Sequence, residues 1–157
     1  MSRAFVKEQD NVPPDDPPEF EVGAGPNLVT RAGLERINAK VADIEEKLAA
    51  NPDADSLVLL MRDLRYWVAR KNSARVFVPS NPNEVEFGAQ VTIERGGRRQ
   101  TFVLVGEDEG EPGAGRINWR SPLAEAILGA RVGDTVNLGE RTPPDEIRIL
   151  EIAPLES

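Results

Sequence analysis

Asp53 and Asp55 stand one residue apart in the polar run Asn51-Pro52-Asp53-Ala54-Asp55, between two segments of periodic apolar residues. Two carboxylates at a chain reversal can both point along the axis of the elements they join. Aspartate in such a turn also serves as a helix cap and interacts favourably with the helix N-terminus. Further on, Arg62, Arg65 and Arg70 accompany Tyr66, which lies between Arg62 and Arg70 in one i, i+4 row. Such a face is either a solvated one or a surface for phosphate or acidic groups, with Tyr66 available for stacking. The chain contains no cysteine and no histidine. That excludes a disulfide framework, an ordinary zinc site, Ser-His-Asp and Cys-His nucleophile systems and a haem attachment. Carboxylates, hydroxyls and arginines remain. The acidic glycine-containing stretch Glu107 to Gly115 has neither the lysine of a phosphate loop nor the ligand spacing of a calcium loop, and a solvated turn is expected there.

The tip acids and the arginine row both belong to the most periodic part of the chain. Leu34, Ile37, Val41, Ile44 and Leu48 follow one another at steps of three and four, and the stepping resumes with Leu57, Leu60, Leu64, Trp67, Lys71 and Ala74. Two such stripes with a short proline-containing connection predict an antiparallel coiled-coil hairpin, each helix of about 20 residues extending roughly 30 Å. Thr30 is a plausible cap for the first helix, and Asp53, Asp55 or Ser56 for the second. On a helical wheel Arg62, Arg65 and Arg70 fall away from the seam.

Charge divides the 157 residues into three segments, which together carry −8. Residues 1–29 have a balance of −4 with five prolines from Pro13 to Pro26, and are expected to form a mostly disordered arm. Residues 30–76, the hairpin, carry +2, and residues 77–157 carry −6. An acidic protein of this kind is a poor candidate for general DNA coating. No apolar run approaches the roughly 20 residues of a membrane span, and no apolar signal stretch opens the chain, so a cytoplasmic monomer without membrane attachment is expected.

Beyond Val76 the pattern becomes short β-rich runs separated by glycine turns. Val85, Phe87, Val91 and Ile93 keep odd spacing, and Gly96-Gly97 precedes Phe102 and Leu104, which predicts a hairpin. Arg116 to Arg120 is a further strand candidate. Ser121-Pro122 places a cap before proline at the first helical position, opening a short helix through Leu128 that Gly129 closes. Val132, Val136 and Leu138, then Ile147, Ile149 and Ile152, supply two last strands. The fold class is therefore α+β: a helical hairpin followed by an antiparallel β domain with one short helix.

The run Val85-Glu86-Phe87-Gly88-Ala89-Gln90-Val91-Thr92, then Val105-Gly106-Glu107-Asp108-Glu109, then Gly115-Arg116-Ile117-Asn118-Trp119 with Ser121-Pro122-Leu123-Ala124, and Leu128-Gly129 with Val132-Gly133-Asp134, resembles the C-terminal domain of the Gre-type transcription elongation factors (GreA/GreB). Pro26-Asn27-Leu28-Val29-Thr30 with Gly33 and Leu34 resembles the start of that family's hairpin. The resemblance covers about residues 26–153. It implies an FKBP-like domain that docks on bacterial RNA polymerase at its secondary channel through Trp119, Arg120, Ser121, Pro122 and Leu123, and a coiled coil that enters the channel.

In cleavage-stimulating members, acids at the hairpin tip help hold a Mg2+ ion jointly with the polymerase, for hydrolysis of backtracked RNA. Asp53 and Asp55 would take that role here, and Arg62, Arg65, Tyr66 and Arg70 would face nucleic acid, the RNA 3′ end or DNA being met only within the elongation complex. Such a protein is an auxiliary factor rather than an enzyme, with no cofactor of its own, because the polymerase supplies the main metal site. The hairpin is shorter than in cleavage factors, and a tip that loses about 1.5 Å per missing residue falls short of a distant metal. Arg120 stands where members often carry Asp or Asn. A shorter hairpin on the same domain also resembles Rnk-like proteins, regulators of nucleoside diphosphate kinase, which bind polymerase without cleavage. A free-standing prolyl isomerase would need an aromatic pocket drawn from Phe77, Phe87, Phe102 and Trp119, of which the strand phenylalanines are accounted for as core.

Overall fold

A computed structural model of the chain describes residues 18–23, 25–140 and 143–154. Most of the acidic arm, residues 1–17 and 24, lies outside the described residues. The described chain forms two compact units, one of residues 18–23 with 38–72, the other of residues 25–37 with 73–140 and 143–154. Among the described residues no helix is long and apolar enough to cross a membrane.

Two helices, α1 (Arg31–Ala49) and α2 (Ala54–Ser73), account for the periodic segments. Thr30 caps α1: its Oγ1 accepts from Gly33 N at 3.0 Å, and its carbonyl accepts from Leu34 N at 3.0 Å. The chain leaves α1 through Asn51, whose φ of 55° is the left-handed conformation that asparagine tolerates better than most side chains. The stripe is followed closely in α1, where Ile37, Val41 and Ile44 are buried and Leu34 and Leu48 half-buried. In α2 the residues Leu60, Leu64 and Trp67 are half-buried, whereas Leu57 remains exposed. The Lys40 ammonium lies 6.0 Å from the Trp67 ring centre, within the first unit.

Ala74 does not continue the helix. It opens β2 (Ala74–Val76), which pairs in parallel with β1 (Asn27–Val29), Asn27 opposite Ala74 and Val29 opposite Val76. The side chain of Asn27 donates to Ser73 Oγ at 3.2 Å beside this pair. A three-residue pairing of segments 47 positions apart has no periodicity by which a sequence could announce it.

The second unit is built on a five-stranded sheet of order β5-β4-β3-β7-β6, where β3 is Ala89–Arg95, β4 Arg98–Val105, β5 Arg116–Asn118, β6 Thr135–Asn137 and β7 Glu146–Pro154. Arg95 faces Arg98 across the two-residue turn Gly96-Gly97, whose φ angles of 59° and 76° suit the primed turn that matches strand twist. The β3–β4, β3–β7 and β6–β7 pairs are antiparallel. The sheet as a whole is mixed, because β5 runs parallel to β4. The excursion through Glu111–Arg116 and a 3-10 turn at Pro112–Ala114 returns the chain to the same edge in the same direction. This corrects the expectation of a purely antiparallel sheet.

One face of the sheet carries the core. Val91, Ile93, Leu104, Ile147 and Ile149 are fully buried, together with Ala124 and Ile127 from α3 (Pro122–Ile127). Burying each large aliphatic contributes about 1.5–3 kcal/mol. The odd spacing of Ile147 and Ile149 breaks at Ile152, and the register explains it: Thr92 pairs with Glu151 and Ile93 with Ile149, leaving Leu150 as a bulge. Ile152 thereby packs against the same core. Val85 and Phe87 are buried but precede β3, held by loop hydrogen bonds such as Val85 N to Ala130 O at 2.8 Å. Val132, expected in a strand, is 55% exposed in the turn before β6.

Candidate functional site

Asp53 is the N-cap of α2. Its Oδ1 accepts from Ser56 N at 2.7 Å, and its carbonyl accepts from Leu57 N at 2.8 Å. The Ser56 backbone hydrogen bond, followed by that of the Ser56 hydroxyl, holds the Asp53 carboxyl below its ordinary value. Asp55 follows in the first turn, exposed. Both acids therefore sit at the positive end of one helix. Among the described residues no group of three or more His, Cys, Asp or Glu side chains is arranged to hold a metal.

A carboxyl with a lowered folded-state value contributes stability above its unfolded value, and that contribution disappears as pH falls through the lowered one. Acidification below the usual carboxylate range, or Asp53→Ala at neutral pH, is expected to lower the protection of the Ser56 and Leu57 amides against hydrogen exchange, taken relative to the intrinsic rate at the same pH, several-fold. Unchanged exchange at those two amides in the alanine variant would remove the cap assignment.

The arginine row of α2 is not an open surface. Arg65 donates through Nε to Glu19 Oε1 at 2.9 Å, and its Nη2 contacts the same oxygen. Glu19 is held below its ordinary value first by the hydrogen bond from Arg65 and then by the charges of Arg65 and Arg62. Phe20 lies over Arg62, 4.1 Å from guanidinium carbon to ring centre, and meets Tyr66 edge-on at 5.7 Å and 75°. Arg62 also donates to Asp63 Oδ1 at 3.1 and 3.2 Å. Arg70, expected to face outward, is only 2% exposed, its guanidinium 6.0 Å from the Tyr66 ring. The outward face thus comprises Arg62, Arg65 and Tyr66, and it carries an acidic-aromatic segment of the same chain.

Trp119 follows β5 and is half-buried, its backbone N–H donating to Val105 O at 2.9 Å. Its ring stands edge-on to Phe87 at 6.2 Å and 87°, and Phe87 stands edge-on to Phe77 at 6.0 Å and 90°. Its Nε1 is buried and has no acceptor among the described residues. Arg120 is engaged within its own unit: Nη2 donates to Pro26 O at 2.9 Å, and the guanidinium lies 4.9 Å from the Trp119 ring centre. Its Nε approaches Glu107 Oε1 at 2.9 Å, an ion-pair distance without hydrogen-bond alignment. Ser121 caps α3, accepting from Ala124 N at 3.3 Å, and Pro122 takes the first helical position. Glu107, Ile117, Asn118, Ser121, Pro122 and Leu123 line much of a largely apolar open cleft of about 490 Å³.

The stretch expected to be a solvated turn contains a buried carboxylate. Glu109 is 5% exposed, and its Oε2 accepts from Thr30 N at 3.1 Å and Gly106 N at 2.9 Å, while the Thr30 hydroxyl donates to Oε1. An anion is thus placed at the N-terminus of α1, where the helix dipole favours it. Gly33 and Gly106 make room: a Cβ on Gly33 would collide with the Glu109 carboxylate, and one on Gly106 would lie 2.5 Å from Leu28 O. Those two glycines, one of them inside a helical pattern, were the available sequence signal.

Residues 79–154 match the family model described as transcription elongation factor, GreA/GreB, C-terminal. Transcription elongation factor GreB of Neisseria meningitidis serogroup A is 39% identical over 95 residues, 58% of this chain and 58% of that protein. Transcription elongation factor GreA of Thermomicrobium roseum is 40% identical over 68 residues, 43% and 44% of the two chains. The match therefore spans 58% of the length of the first of these relatives and 44% of the second. Among solved structures, the GreA factor homolog 1 protein of Thermus thermophilus aligns with 82% of this chain and 99% of its own at 21% identity and a TM-score of 0.39, a likeness on which nothing further rests.

Proposed function

We infer, from the match of residues 79–154 to the GreA/GreB C-terminal domain model, a transcription elongation factor that binds bacterial RNA polymerase at its secondary channel. The observation that carries this reading is that family match, which takes in Trp119–Leu123 and the cleft beside Ser121, Pro122 and Leu123. In this reading residues 77–157 are an FKBP-like docking domain and α1 and α2 an antiparallel coiled-coil hairpin that enters the channel. The buried stripe of α1 and the short Ala50–Asp53 connection support the hairpin.

Asp53 and Asp55 lie in the connection and at the start of α2, and would lend oxygen ligands to a Mg2+ ion held by the polymerase, a hard cation that accepts carboxylate oxygen. Such a metal supplies a bound water of lowered pKa for phosphodiester hydrolysis. This chain's own contribution is to position the carboxylates at the tip and to present the α2 face to the nucleic acid. A second reading is a polymerase-binding regulator without cleavage, of Rnk-like type. It is favoured by helices of only 19 and 20 residues and by the capping duty of Asp53.

Backtracked elongation complexes distinguish the two. Addition of the protein is expected to shorten the nascent RNA faster, and Asp53→Asn with Asp55→Asn to abolish the acceleration without weakening polymerase binding. Binding without acceleration selects the non-cleaving regulator. Absence of polymerase binding overturns both.

A further inference from the structure

The acidic N-terminal region carries a low density of large aliphatics, yet its residues Glu19 and Phe20 sit on the arginine row of α2. What they do there is chemically specific. A carboxylate on Arg65 and, one residue later, a planar ring over the Arg62 guanidinium and against the edge of Tyr66 reproduce two features of one nucleotide, an anionic phosphate and a stacked base. We propose that Pro18–Val22 is a self-mask, in which Glu19 and Phe20 occupy the phosphate and base positions of a single-stranded nucleic-acid subsite formed by Arg62, Arg65 and Tyr66.

The proposal rests on the reading of α2 as a nucleic-acid-facing helix. The mask is built to be displaced. Glu19 and Arg65 are 58% and 53% exposed in their side chains, and Phe20 and Val22 are each 47% exposed. Ion pairs this open are weak and screened by salt. A tethered segment nevertheless competes effectively, because its local concentration reaches the millimolar range for short connections. A polyanion of several phosphates gains from counterion release what the two carboxylates Glu19 and Glu21 cannot. The arm would therefore hold isolated nucleotides and adventitious anions off the helix, and yield where a strand is delivered at high local concentration.

Fluorescence anisotropy of a labelled short oligouridylate tests this on the full chain at low salt. If the mask is closed about 90% of the time, Glu19→Gln with Phe20→Ala should tighten binding roughly tenfold, since apparent affinity scales with the open fraction. Adding Arg62→Ala and Arg65→Ala to that variant should remove the gain, and a free Pro-Glu-Phe-Glu-Val peptide in excess should compete with the oligouridylate. Equal affinity of wild type and the arm variant, a gain that survives loss of both arginines, or no oligouridylate binding by any variant each overturns the proposal. A gain seen only for an acidic peptide would reassign the subsite to protein. Polymerase binding, measured separately, is independent of these outcomes, so failure of the mask and failure of the polymerase reading are told apart.

Discussion

Glu109→Ala is expected to lower the unfolding free energy by about 3 kcal/mol, read as a shift of the urea midpoint with the slope unchanged. The carboxylate accepts from Thr30 N, Gly106 N and the Thr30 hydroxyl at a site 5% exposed to solvent. Its removal leaves buried donors without an acceptor, and an orphaned buried polar group costs about 1–3 kcal/mol. Glu109→Gln should cost less than half as much. One amide oxygen can serve both backbone N–H groups from the Oε2 position, and the Thr30 hydroxyl can rotate to accept from the amide nitrogen.

Gly33→Ala provides the complementary test. A methyl group there strikes the carboxylate, so the substitution is expected to destabilise by 2 kcal/mol or more, roughly the cost of overpacking. Its cost should fall sharply when Glu109 is already alanine. Additive costs in the double-mutant cycle, or a Glu109→Ala loss under about 0.5 kcal/mol, would deny the carboxylate its place at the start of α1.

If the proposed docking on polymerase runs through Trp119, Trp119→Ala is expected to weaken polymerase binding about 30-fold or more, the range of an aromatic anchor at an interface. The ring is already ordered by Phe87 and by the Arg120 guanidinium, so little side-chain freedom remains to be lost on binding. Its buried Nε1–H has no acceptor among the described residues, and in the proposed docking reading an acceptor brought by the polymerase would satisfy it once the ring turns outward. Trp119→Phe separates the two contributions. It keeps an edge-on ring beside Phe87 and removes the N–H, and an intermediate loss of about five- to tenfold is expected, the worth of one hydrogen bond. Wild-type affinity in Trp119→Ala, in a variant whose urea midpoint shows the fold intact, would exclude the anchor role.

The elements around these residues differ in how far they could be read from sequence. Gly96-Gly97 between alternating apolar runs carries its hairpin in the local backbone preference of two glycines, and Ser121-Pro122 carries the start of α3 in a cap and a fixed φ. The three-four stepping of Leu34 to Leu48 marks the buried side of α1 because side chains on a helix recur on one face at that spacing. The cap of α2 was legible only as a choice among Asp53, Asp55 and Ser56, and the Asp53–Ser56 hydrogen bond made the choice. Ile147, Ile149 and Ile152 were read as one strand, and the bulge at Leu150 that brings Ile152 to the same core required the partner strand.

The candidate site was legible in its residue types and less so in its availability. The arginine row could be counted from sequence, whereas the burial of Arg70 and the occupation of Arg62 and Arg65 by Phe20 and Glu19 could not. A wheel assigns a side chain to a direction, not to what the rest of the chain places there. Likewise the acidic composition of Glu107–Gly115 suggested solvent for every carboxylate in it, and missed that one of them, Glu109, is satisfied by protein hydrogen bonds rather than water.

By itself, then, the sequence determined the local grammar of this protein: two amphipathic helices with their caps, a glycine-turned hairpin, a proline-initiated short helix, and the absence of any thiol or imidazole chemistry. Each rests on preferences that act over one to four residues. The tertiary structure alone decided that β5 lies parallel to β4, that Glu109 reaches back 79 residues to Thr30, and that Glu19 crosses 46 residues to Arg65. The entropic cost of closing such loops changes only slowly with their length. Chain separation therefore discriminates little among the many carboxylates within reach of a given donor, and the choice falls to packing, to the room left by glycines such as Gly33 and Gly106, and to burial that makes an unpaired donor costly.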